Sequence, residues 1–70
     1  MKNYPKPIRS ESGCKISWYY YDNLKDAEKA SIIAAEEGVR LWNLGYDFGY
    51  QTPGCVVKLK DKEEWYVIIP

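Results

Sequence analysis

The residues of this chain that could do chemistry are few: two cysteines, Cys14 and Cys55, and two adjacent carboxylate pairs, Glu36/Glu37 and Glu63/Glu64. There is no histidine, so the usual general base and the commonest metal ligand are both missing. A cysteine becomes a nucleophile beside a base or at a helix N-terminus, and neither Cys14 nor Cys55 is so placed. Two cysteines without histidine do not compose a zinc site. Neighbouring glutamates on a helix diverge by about 100°, and in a turn they are solvated, so neither pair shares a proton or an ion. Asp47-Phe48-Gly49 spells the metal-binding triplet of kinases, but no glycine-rich phosphate loop or catalytic-loop signature accompanies it. These residues predict a protein that is not an enzyme and that takes no cofactor and no metal. What remains is binding.

Seventy residues make one domain, and a domain of this size buries only roughly 60% of the surface its unfolded chain exposes. Such domains lean on disulfides, metals, dense aromatic packing or self-association. This chain shows the aromatics: Trp18, Trp42, Trp65, seven tyrosines and Phe48. Ten basic residues balance ten acidic ones, so no global field would hold a polyanion. No apolar run approaches the roughly 20 residues that span a bilayer, and the polar stretch after Met1 does not read as a signal peptide. The expected setting is cytoplasmic, with no membrane partner and with Cys14 and Cys55 reduced.

The elements that must present a binding surface follow from periodicity. Residues 1–13 read as an extended arm, since Pro5 and Pro7 exclude helix. The domain proper is 14–70, an α+β fold of β-α-β-β order with one long helix on a three-stranded, mostly antiparallel sheet. Residues 14–21 alternate as a strand, Cys14, Ile16, Trp18 and Tyr20 toward the core and Tyr19 and Tyr21 away from it. Asn23 is an N-cap with Asp26 three positions on, 24–44 is rich in helix formers, and Gly45 is a terminator. Gly38 is the weak point of that helix; one interior glycine costs about 1 kcal/mol, which an unbroken helix tolerates. Residues 45–54 form a glycine- and aromatic-rich loop. Residues 55–60 and 65–69 then make a hairpin about the charged turn 61–64, its register open.

On the helix, Lys25, Lys29, Glu36, Arg40 and Asn43 share a polar side, while Ala27, Ala30, Ala34, Gly38 and Leu41 form a small-residue stripe. Beside the stripe lie Leu24, Ala35 and Trp42, then Ile32 and Val39. The apolar arc is about 200° wide, interrupted by Glu28, where a helix on one sheet needs little more than about 100°. Something must cover the flank of Ile32, Val39 and Trp42: either the arm, with Tyr4 and Ile8 folded back, or a protein partner or second copy. In the loop, Tyr46, Phe48 and Tyr50 either supply contact area to a partner or fold inward to seal the core.

The expectation is therefore a small non-catalytic binding protein, an inhibitor or adaptor, using Ile32, Val39, Trp42, Tyr46, Phe48 and Tyr50 on a protein partner or as a homodimer. Its compact length resembles in style the accessory proteins of phages and mobile elements. One alternative is a single-stranded nucleic-acid module using Tyr19, Tyr21, Lys58 and Lys60 on an open sheet face, with stacking for bases and charge for phosphates. Another is a small-ligand binder whose pocket is the 45–54 loop.

Overall fold

The helix begins where its cap puts it. In a computed structural model, which describes residues 3–70, α1 spans Leu24–Asn43. Asn23 is extended and its side chain accepts the Asp26 backbone N–H at 2.8 Å. The Asn23 amide returns a hydrogen bond to the Asp26 carboxylate at 3.2 Å, so both partners of the capping pair are engaged. The far end closes as a Schellman motif. Gly45 (φ 97°) donates to Trp42 O and Tyr46 donates to Leu41 O, at 2.9 and 3.1 Å. Gly38 does not break the helix. No helix among the described residues is long and apolar enough to cross a membrane.

Four strands, β1 Arg9–Ser12, β2 Ser17–Tyr21, β3 Val56–Lys58 and β4 Trp65–Ile69, form one antiparallel sheet in the order β1-β2-β4-β3. The α+β class stands, with four strands rather than the expected three. The extra strand comes from the stretch read as an arm, of which Met1 and Lys2 lie outside the described residues. Arg9–Ser12 is polar and exposed throughout, so no hydrophobic period marks it. It forms because the outer backbone edge of β2 needs partners. Gly13 donates to Ile16 O at 2.7 Å to close the turn between them.

The face of β2 is also the reverse of the expected one. Register places Tyr21 opposite Trp65, Tyr19 opposite Val67 and Ser17 opposite Ile69, and this is the row under the helix. Tyr21 and Val67 are fully buried there. Trp18 and Tyr20, expected inside, lie on the opposite face with Tyr66 and Ile68, and Cys14 is exposed; of that expected inward set Ile16, just before β2, is buried. Both rows of β2 carry aromatics, so alternation defines two faces without ranking them. Tyr21 is acceptable inside because its hydroxyl is satisfied, donating to Pro5 O at 2.9 Å.

The helix lies mainly over β4, with β2 and β3 to either side. Its inward row is Ala27, Ala30 and Ala34, all without exposure, and then Gly38. The bulk of the core is supplied from below by Tyr21, Val67 and Ile69, and from the margins by Tyr4, Tyr19, Val56 and Trp65. The 45–54 loop returns along the helix. A Cβ on Gly38 would stand 2.7 Å from the Pro53 Cβ, and one on Gly54 would stand 2.8 Å from the Ala35 Cβ. Ser31 Oγ donates to Gly54 O, which ties the loop to the helix.

That contact reverses the ordinary effect of a substitution. Gly38→Ala should gain about 1 kcal/mol of helix propensity, yet the new methyl must displace a proline ring held on the helix. Overpacking of this kind costs about 1–3 kcal/mol. Urea unfolding of Gly38→Ala should therefore show lower stability than wild type, and a more stable variant would refute the contact.

Candidate binding surface

α1 turns its small residues inward, Ile33 and Leu41 are half-buried, and the remaining large apolar residues are left outside. Ile32, Val39 and Trp42 are 63%, 62% and 62% exposed, and Leu24, at the start of the helix, is exposed too. The N-terminal segment does not cover them. Tyr4 packs edge-on against Tyr19, ring centroids 5.5 Å apart, and its phenol feels the charge of Glu37. Glu37 is on the opposite side of the helix from Val39 and Ile32 by the 3.6-residue period. The arm therefore seals the other margin of the core, and Ile8 stays exposed.

One wall of a groove of about 330 Å³ is the helix, through Ala35, Gly38, Val39 and Trp42. The other wall is the loop, through Phe48, Gln51 and Pro53. The loop is held in shape by local bonds: Asp47 Oδ1 accepts the Gly49 N–H at 2.9 Å, with Gly49 at φ 65°. Three of the expected contact residues, Val39, Trp42 and Phe48, are thus brought together. Ile32 continues the helix wall one turn further back. Tyr46 and Tyr50 do not join the groove; both are exposed, and Tyr50 completely. Tyr46 instead lies beside Leu44, Cys14 and Lys15 at the β1–β2 turn. Among the loop aromatics only Phe48 turns partly inward.

The Tyr/Lys quartet is not assembled as an open platform. Tyr19, Tyr21 and Lys58 do share a sheet face, but it is the one the helix and the N-terminal segment occupy. Lys58 is also engaged, donating to Lys62 O at 3.0 Å and standing 3.5 Å from the Glu63 carboxylate. Lys60 lies beyond β3 in the turn.

The sheet face away from the helix went unread in the sequence. It carries Tyr20 and Tyr66, ring centroids 5.7 Å apart, with Trp18 beside them. Arg9 lies 4.1 Å over the Tyr20 ring and reaches the Glu64 carboxylate at 2.8 Å. The Tyr20 hydroxyl donates to Glu11 at 2.6 Å, and that bond raises its pKa. The available signal was the pairing of Arg9 and Glu11 two residues apart, which puts both on one face of a strand.

Comparison with known proteins gives no relative. No family model, curated protein or solved structure matches this chain. Its surfaces must be read from their own chemistry. Among the described residues no three Cys, Asp or Glu side chains gather into a group that could hold a metal ion.

Burial pushes the Tyr21 phenol up to about 12, helped by the neighbouring Tyr19, Asp26 and Tyr4. An unfolded tyrosine titrates near 10. The folded state therefore favours the neutral phenol, so this contribution is fully present below about pH 10 and is lost as pH rises toward about 12. Phenolate absorbance should show a high-pH tyrosine phase in step with unfolding, and Tyr21→Phe should remove that phase. If Tyr21→Phe leaves the high-pH phase in place, the buried hydroxyl is wrongly assigned.

Proposed function

We propose that this chain is a small non-catalytic binding protein, an inhibitor or adaptor, that docks on a protein surface through Ile32, Val39 and Trp42 with the loop wall at Phe48. One observation carries the reading: the helix turns alanines to its core and leaves Ile32, Val39 and Trp42 mostly exposed. Full burial of such a side chain is worth roughly 1.5–3 kcal/mol. Three of them, already partly covered, would return only a few kcal/mol against an association cost of at least about 4 kcal/mol. The helix flank alone is thus too small, and the loop must take part. The setting we infer is cytoplasmic, with the exposed thiols of Cys14 and Cys55 reduced, as for the accessory proteins of phages and mobile elements.

A second reading rests on the groove itself. About 330 Å³ is at the small end of ligand sites, which run from about 300 to 1,000 Å³. A planar apolar ligand between Trp42 and Phe48 would stabilise the fold in a thermal-shift screen and lose that effect in Phe48→Ala.

For the leading reading, a photo-crosslinking amino acid replacing Trp42 in the native cell should give one discrete protein adduct. The same group replacing Lys62, in the hairpin turn, should give none. Val39→Glu should abolish the adduct while shifting unfolding by no more than about 0.5 kcal/mol, as for other exposed positions. The absence of a discrete adduct, or one indifferent to Val39→Glu, would overturn the proposal.

A further inference from the structure

Residues 8–12 are exposed without exception, so none of them belongs to the core. β1 is held instead by its backbone ladder and by polar side-chain contacts that centre on Tyr20. Ile8 N–H joins the ladder at Tyr20 O, 2.8 Å away. Arg9 lies 4.1 Å over the Tyr20 ring, and Glu11 accepts the Tyr20 hydroxyl at 2.6 Å. On either side of this stretch the chain is anchored separately. Before it, Tyr4 packs on Tyr19 and Pro5 O accepts the Tyr21 hydroxyl. After it, Gly13 N–H closes the turn onto Ile16 O. An exposed strand between two anchors is the kind of element that opens locally while its neighbours stay folded.

One of its contacts reaches past β2. The Arg9 guanidinium crosses to the carboxylate of Glu64, the residue before β4, at 2.8 Å. The Glu64 side chain is only 18% exposed, and the oxygen that faces Arg9 is buried. That burial spares the pair much of the screening that weakens surface ion pairs. We infer that β1 is a strap that opens and closes over the outer edge of β2, with the Arg9–Glu64 pair as its latch. What remains when the strap lifts is the β2-β4-β3 sheet with α1 over β4. The Tyr4 and Pro5 anchors stay in place, so the core is undisturbed. The freed edge of β2 is then a template for pairing with an extended segment of another chain. The latch sets how often that edge is offered.

Amide hydrogen exchange on the full chain reads the opening directly. The Ile8 N–H should exchange at least about tenfold faster than the Ile68 N–H, which is bonded to Cys55 O on the interior strand β4. Its rate should also respond weakly to urea, because the opening exposes little surface. Glu64→Gln removes the charge that holds Arg9 and lies far from Ile8 in sequence, so the chemical exchange rate of Ile8 is unaltered. That variant should speed Ile8 by about fivefold and leave Ile68 unchanged. Ile8 exchanging at the rate of Ile68, with the same urea dependence, overturns the strap, since β1 then leaves only when the whole domain unfolds. An Ile8 rate indifferent to Glu64→Gln overturns the latch.

Discussion

The close approach of α1 to β4, permitted by Ala27, Ala30 and Ala34 over Val67, is the constraint on which the rest of this structure depends. None of these four side chains keeps any exposed surface. A helix that offers only methyl groups can settle low on the sheet but contributes little volume. The missing volume has to come from the sheet and the margins, which is why Tyr21 and Val67 are the largest fully buried side chains. It is also why Tyr4 must be drawn in against Tyr19. The returning loop meets the same limit. It reaches the helix only where Gly38 and Gly54 leave room for the Pro53 ring and for the Ala35 methyl.

How much of this could be read beforehand depended on whether a local signal existed. The helix had several that agreed, Asn23 and Asp26 at one end, Gly45 at the other and the alanine stripe between, and it forms over nearly the expected length. Gly38 looked like a weakness because propensity sees only the backbone. Its reason is Pro53, fifteen positions on, and no local pattern carries that contact. The strand Arg9–Ser12 was illegible for a different reason. Its residues bury nothing, and it exists through backbone pairing with an edge that the alternation of β2 could not announce. Which side of β2 faces in was settled by Ile69, Val67 and Trp65 across the sheet, a register that sequence spacing leaves open. The helix half of the candidate surface was legible because a 3.6-residue period places side chains without knowing the fold. The loop half was not, since Tyr46, Phe48 and Tyr50 alternate in sequence but part ways in space.

The open face of the sheet shows how an aromatic surface can be occupied by its own chain. Tyr20 and Tyr66 would make a stacking platform, yet Arg9 lies on the Tyr20 ring and is held there by Glu64. The same guanidinium is the cation best placed to meet a phosphate. Glu11, hydrogen-bonded to the Tyr20 hydroxyl, adds a negative charge at the rim. With no net charge on the chain as a whole, neither the local nor the global field favours a polyanion on this face.

The helix flank differs from that face in that its large side chains, Ile32, Val39 and Trp42, stay mostly exposed beside the loop. A marginal domain has reason to bury every large apolar side chain it owns, because about 5–15 kcal/mol of net stability is all that most domains hold. Here the alternative was open: exchanging Ala34 or Ala30 with Ile32 in the sequence would move bulk inward at the cost of lifting the helix from β4. The arrangement instead keeps the helix low and the bulk outside, on positions where a polar residue would serve the monomer equally well. Isolated exposed hydrophobics need no explanation, but Ile32, Val39 and Trp42 lie on one side of the helix, and Val39 and Trp42 border a groove whose far wall is the loop. Folding of the single chain does not account for their presence there; the docking proposed above would.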